Sequence, residues 1–144
     1  MTSSDEDVFS SKIAPGQVFY ILDKAISPDI PHYYIVLNIN PALEKELILV
    51  CATTLDIWGA QTASKYPEST FVALTPSDCS FLKVPSLFDC NRPLVRHIKN
   101  LAGKLSSNQL KLIGSVSEAI VIKLREGVRN SRLVPGKIKR SLEV

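Results

Sequence analysis

Residues 47–54, LILVCATT, decide the fold. Six apolar or thiol-bearing residues follow the charged cluster Glu44-Lys45-Glu46 and end in two threonines, a length and pattern that suit a strand buried on both faces. Such a strand sits at the centre of a sheet, so its neighbours should flank it. Upstream, YYIVLNI (33–39) reads as a strand, and Asn40-Pro41 with the charged cluster makes the turn between the two. Further back, QVFYIL (17–22) is a third β-rich run, separated from the second by SPDIP (27–31) with its two prolines. Short turns between successive strands predict an antiparallel meander.

Downstream, GAQTASKYPES (59–69) has no hydrophobic period and reads as a long loop. TFVALT (70–75) and SLFDC (86–90) follow as fourth and fifth strands, joined by the turn-like PSDCSFLKVP. Five strands without intervening helices point to a small barrel or sandwich. The chain then changes character: LVRHIKNLAGKL can hold a short helix, and SSNQLKLIGSVSEAIVIKLREG opens with Ser106 three residues before Gln109, a capping-box pattern. Leu110, Leu112, Ile113, Val116, Ala119, Ile120 and Leu124 then share one face of an expected helix that packs on the sheet and stops at Gly127.

The expected organisation is a polar, mobile acidic leader (1–12), one mainly β domain with a C-terminal helix (13–126) and a basic, extended or partly ordered tail (127–144). At 144 residues, with 45% hydrophobic and 22% charged residues, the chain suits one self-sufficient domain. No apolar run approaches the ~18 residues of a membrane span, and the acidic N-terminus is unlike a secretory signal. A cytoplasmic protein without membrane contact is expected. Three cysteines without CxxC spacing suggest reduced thiols rather than disulfides or zinc. The net charge of +3 hides a basic C-terminal end carrying Lys123, Arg125, Arg129, Arg132, Lys137, Lys139 and Arg140.

No phosphate-binding glycine loop, paired-histidine metal spacing or GxSxG elbow is present. The remaining polar residues sit at strand ends: His32, Thr53 and Thr54, then Asp89, Asn91 and Arg92 after the fifth strand. In an antiparallel sheet, the start of the second strand and the end of the third share a rim. A histidine there can move protons, hydroxyls can hold a phosphate oxygen, and an arginine can hold phosphate bidentately. Such a set could cleave RNA through attack of the ribose 2′-hydroxyl on its own phosphate. The plainer readings are a turn histidine, strand-edge threonines, a turn-fixing aspartate and a solvated basic surface.

The order of these segments resembles the MazF/PemK family of toxin endoribonucleases across roughly residues 14 to 125. Gly16-Gln17-Val18-Phe19 is similar to that family's opening strand, and His32 to Leu37 to its second strand. Cys51-Ala52-Thr53-Thr54 is similar to the end of its third strand. Asp89 to Leu94 partly reproduces an Asp-Gln-x-Arg-Thr-Ile motif, and Gly103 to Leu110 resembles a Gly-Arg-Leu-Ser segment. The resemblance implies an SH3-like antiparallel β-barrel with the C-terminal helix packed on it. It also implies a homodimer, metal-independent cleavage of single-stranded RNA with no cofactor, and inhibition by a cognate antitoxin.

Carried onto this chain, the catalytic candidates are His32, Thr53, Thr54 and Arg92, and the substrate-binding candidates are Asp89, Asn91 and Lys83. Two positions depart from the family: His32 and Leu87 stand where basic residues are usual. Arginine and histidine differ in charge and in bidentate reach. The alternative is therefore a catalytically inactive SH3-like barrel that binds RNA or protein.

Overall fold

The computed structural model describes residues 5–22, 32–53 and 66–143. Seven strands form an antiparallel sheet: β1 (Gln17–Ile21), β2 (His32–Val36), β3 (Glu46–Thr53), β4 (Phe71–Leu74), β5 (Ser86–Asp89), β6 (Leu94–His97) and β7 (Leu110–Ser115). Among the described residues four α-helices accompany them: α1 (Asp5–Ser11), α2 (Ile98–Ser106), α3 (Glu118–Asn130) and α4 (Gly136–Ser141). The strand order is β4-β5-β3-β2-β1-β7, with β6 also paired to β3.

The central position expected for this strand is what the register shows for Leu47 to Thr53. One edge of β3 pairs with β2 (Tyr34 opposite Cys51), and the other pairs with β6 along Glu46 to Leu49 and then with β5 at Ala52 and Thr53. Alternation then sends its side chains to two separate cores. Ile48, Val50 and Ala52 join Val18, Ile35, Phe88 and the inward residues of α3, whereas Leu47 and Leu49 join Phe9, Phe19, Tyr34 and the inward residues of α2.

Helices lie against both faces of the sheet, α3 on one core and α1 and α2 on the other. Among the described residues it stays open: β4 and β7 lie at opposite ends of the strand order, and the barrel closure expected above does not occur. The mainly β, antiparallel architecture with a packed C-terminal helix stands.

Two other expectations are corrected. Ser106 does not begin a helix; it ends α2, and Leu110–Ser115 is a strand paired with β1. The pairing jumps from Phe19–Leu112 to Val18–Gly114, so Ile113 is an extra bulged residue and breaks the two-residue period by which a strand is recognised. The helix starts instead at Ser117, whose hydroxyl accepts from the Ile120 amide at 3.4 Å. Ile120, Val121, Leu124, Gly127 and Val128 then face the core.

Gly127 lies inside α3 rather than ending it. A Cβ there would stand 2.7 Å from Cys90 Sγ, so its hydrogen lets the helix seat against the turn after β5. The leader and tail also carry structure: Phe9 of α1 is fully buried, and Val134 and Leu142 fasten the segment bearing α4 to the core. Among the described residues, no helix is long and apolar enough to cross a membrane.

Candidate functional site

The meander turns strand order into proximity. β2 begins at His32 and β3 ends at Thr53, and the two run antiparallel with Tyr34 opposite Cys51. Extending that register by two residues sets His32 level with Thr53, on the rim where β1 also ends: Ile21 is the partner of His32. Thr54 lies outside the described residues. His32 is half-buried.

The same rim is fastened to the chain ahead of β7. The Leu22 amide donates to the Gln109 carbonyl at 3.0 Å, and Lys104 Nζ donates to the Leu22 carbonyl at 3.2 Å.

The turn at 89–93 is built differently. β5 and β6 behave as one strand interrupted along the edge of β3, and the interruption is the Asp89-Cys90-Asn91-Arg92-Pro93 segment. Asp89 Oδ1 accepts from the Asn91 amide nitrogen and from Asn91 Nδ2, each at 2.9 Å, which closes an Asx turn. Asn91 Nδ2 also donates to Thr70 Oγ1 at 2.8 Å, and Asn91 Oδ1 accepts from Ser131 Oγ at 2.8 Å. Thr70 in turn donates to the Pro67 carbonyl at 2.6 Å, and the Leu133 amide donates to Ser131 Oγ at 3.2 Å.

These bonds form a relay from Leu133 through Ser131, Asn91 and Thr70 to Pro67. Asn91 is 4% exposed, so its amide faces inward and holds the turn. Arg92, the next residue, is exposed, and its Nη2 donates to the Tyr66 hydroxyl at 3.4 Å. That contact raises the guanidinium pKa above its usual value, with Asp89 adding to the effect, so the charge is secure.

Five of the predicted residues therefore fall into two groups. His32 and Thr53 share the rim. Asp89, Asn91 and Arg92 lie across β3 from β2, where extension of the β3–β5 register sets Asp89 level with Cys51, two residues or ~7 Å below the rim. Lys83 is exposed in the loop before β5. Asp78 shapes that loop by accepting from the Thr75 amide at 2.8 Å and its hydroxyl at 3.0 Å. Burying Cys79 and Leu82 then leaves Phe81 against the sheet and Lys83 outside.

Several participants were not apparent from sequence. Tyr66 and Ser131 meet the turn from 26 and 40 residues away. Tyr20, Tyr33 and Phe81 form a row of rings with centroids 4.7 and 5.0 Å apart. Tyr20 and Tyr33 are facing partners on β1 and β2, and their alternation with buried neighbours was the available signal.

Arg125, by contrast, is no surface cation. Its Nε donates to the Leu37 carbonyl at 2.8 Å and its Nη2 to the Asn38 carbonyl at 3.2 Å, and burial lowers its pKa. Burial pushes the Cys90 thiol up to about 12, which makes it a packing residue rather than a nucleophile at neutral pH. Among the described residues, no three of His, Cys, Asp and Glu are grouped so as to hold a metal ion.

No protein-family model and no curated protein matches this sequence. In three dimensions the chain is similar to an endoribonuclease from a mycobacterial species, with a TM-score of 0.52 and 17% identity over 85% of this chain and 93% of that one. At that identity the likeness establishes a shared fold.

Proposed function

We propose that this protein is a toxin-like endoribonuclease of the MazF/PemK type, which cleaves single-stranded RNA without a metal, as a homodimer, and is held in check by a cognate antitoxin. The observation that carries this reading is the fold shared with an endoribonuclease over 85% of the chain. The rim supports it, because His32 and Thr53 come from adjacent antiparallel strands.

In the proposed reaction, His32 takes the proton of a ribose 2′-hydroxyl, whose oxygen attacks the adjacent phosphorus. The 5′-oxygen leaves and is protonated, giving a 2′,3′-cyclic phosphate and a 5′-hydroxyl end. Thr53 and Thr54 would hold the phosphate oxygens, and Arg92 would offset the charge that develops on them. Asp89 and Asn91 then act by setting the turn that presents Arg92, and Lys83 attracts the strand by charge. Leu112 and Ile113, 36% and 40% exposed on the edge strand β7, support pairing with a second copy.

The test is incubation of the purified full chain with unstructured RNA in the presence of a chelator. Cyclic-phosphate products are expected, and a folded protein that yields none above background refutes the reading. A second reading, an inactive RNA- or protein-binding module, is favoured by His32 in place of a family arginine and by the offset of Arg92 from the rim. RNA retained without cleavage selects it.

A further inference from the structure

A cleft of about 230 Å³ opens at the end of β1 and β7, lined by Tyr20, Leu22, Asn108, Gln109 and Lys111. We infer that this cleft is a nucleobase subsite: one base of a single-stranded RNA stacks on Tyr20, the Asn108 and Gln109 amides meet its polar edge, and Lys111 holds the adjoining phosphate. The inference rests on the endoribonuclease reading and assigns that enzyme a specificity-determining pocket.

Three features carry it. Its volume lies below the ~300–1,000 Å³ of drug-sized ligand pockets and suits a single planar ring system. Tyr20 is half-buried and braced from one side by Tyr33, which Phe81 braces in turn, so its ring is held in place before any ligand arrives. A fixed aromatic plane is what base stacking requires, and it tolerates any base because every base has a π face.

The polar groups are distributed as a nucleotide demands. Lys111 is the β7 partner of Tyr20 and is exposed, which places a cation beside the ring. Asn108 and Gln109 are exposed amides, each able to donate and accept. The Gln109 backbone is already committed, its amide to the Lys104 carbonyl at 2.8 Å and its carbonyl to Leu22 at 3.0 Å, so the segment bearing both side chains is anchored. Asn108 has φ +62, a left-handed conformation that asparagine adopts more readily than most residues.

Position completes the case. Tyr20 pairs with Tyr33 and Ile21 with His32, so the cleft opens one residue from the rim histidine. Tyr20 and His32 leave opposite faces of the sheet. A strand that crosses the rim can therefore place a base on one side and its phosphate near the other. Lys83 is exposed two residues after Phe81, the last ring of the aromatic row.

The experiment titrates a fluorescently labelled, unstructured RNA against the full-length protein and its Tyr20→Ala, Tyr20→Phe, Gln109→Ala and Lys111→Gln variants, with thermal melts alongside. Tyr20→Ala is expected to weaken binding about 5- to 150-fold, and Tyr20→Phe to stay within about twofold of wild type. Lys111→Gln should reduce the dependence of log affinity on log salt by ~0.7, the contribution of one single-strand phosphate. Gln109→Ala should change the preference among RNAs that differ at one base.

Wild-type affinity in Tyr20→Ala, or an unchanged salt slope in Lys111→Gln, overturns the subsite. Should Tyr20→Ala fail to fold, the exposed Lys111 and Gln109 variants decide. Cleavage by the wild type is scored separately: cleavage with indifferent variants removes the subsite alone, and binding that depends on Tyr20 without cleavage removes the nuclease reading alone.

Discussion

Replacing Asn91 with alanine should unfold the protein more readily rather than simply weaken an RNA contact. The side chain is 4% exposed and makes three hydrogen bonds, to Thr70, Asp89 and Ser131. Truncation leaves the fully buried Ser131 hydroxyl without its acceptor, at a cost of about 1–3 kcal/mol. It also removes a donor to the Asp89 carboxylate, a charge-assisted bond worth about 1.5–3 kcal/mol, while the backbone amide of residue 91 still supports Asp89. Thr70 keeps its own donor bond to Pro67 and loses only an incoming one.

Because these terms overlap, the expected loss is about 2–5 kcal/mol, a large share of the ~5–15 kcal/mol available to a domain. Urea unfolding should show a lower midpoint with an unchanged slope, and melting should fall by about 10 °C. A double-mutant cycle with Ser131→Ala should return a coupling of about 1–3 kcal/mol, since either change breaks the same bond. A loss below about 1 kcal/mol, or no coupling, would refute the relay. If instead the stability holds while RNA affinity drops, Asn91 is a substrate contact after all.

Other outcomes follow from the same geometry. Gly127→Ala should cost about 1–3 kcal/mol in denaturant unfolding despite its better helix propensity, because the new methyl meets Cys90 Sγ at 2.7 Å, and Cys90→Ala in the same chain should recover only part of the loss, since the Cβ of residue 90 stays 3.0 Å away. The Cys90 thiol, pushed up to about 12 by burial, should resist alkylation in the native state at pH 8. Its folded pKa lies above the unfolded value of 9.0, so its contribution is complete below pH 9 and is lost as pH rises toward 12, by at most ~1.4 kcal/mol per pH unit. Cys79 shifts in the same direction, so comparing Cys90→Ala with wild type across pH 8 to 10.5 isolates the Cys90 share. His32→Ala should lower single-turnover RNA cleavage by ~10²–10⁴ with little change in RNA affinity, and unchanged cleavage would remove His32 as the acid or base.

The meander β1-β2-β3 was legible because each strand is a β-rich run bounded by proline or charge, and the central place of β3 because both of its faces are apolar. β6 was not legible: Leu94–His97 runs directly into α2 with no turn residue between them. The β7 segment looked helical because one bulged residue, Ile113, mixed the two periods, and a glycine at φ +152 follows it. In α1 and α4 too few apolar residues mark the packed side, yet Phe9 and Leu142 each fill a core. That the start of β2 and the end of β3 share one rim followed from strand order alone. The inward role of Asn91 did not, since its partner Ser131 is 40 residues away.

That separation also bears on when the protein matures during synthesis. A ribosome adding ~5–20 residues per second takes ~2–8 seconds to go from Asn91 to Ser131. Over that interval the turn carrying Arg92 lacks the hydroxyl that holds the Asn91 carbonyl. The turn that presents Arg92 is thus completed only by a late-emerging serine, so its final hydrogen bonding waits until most of the chain has been made. A variant with Ser131 replaced would carry that incompleteness permanently into the released chain.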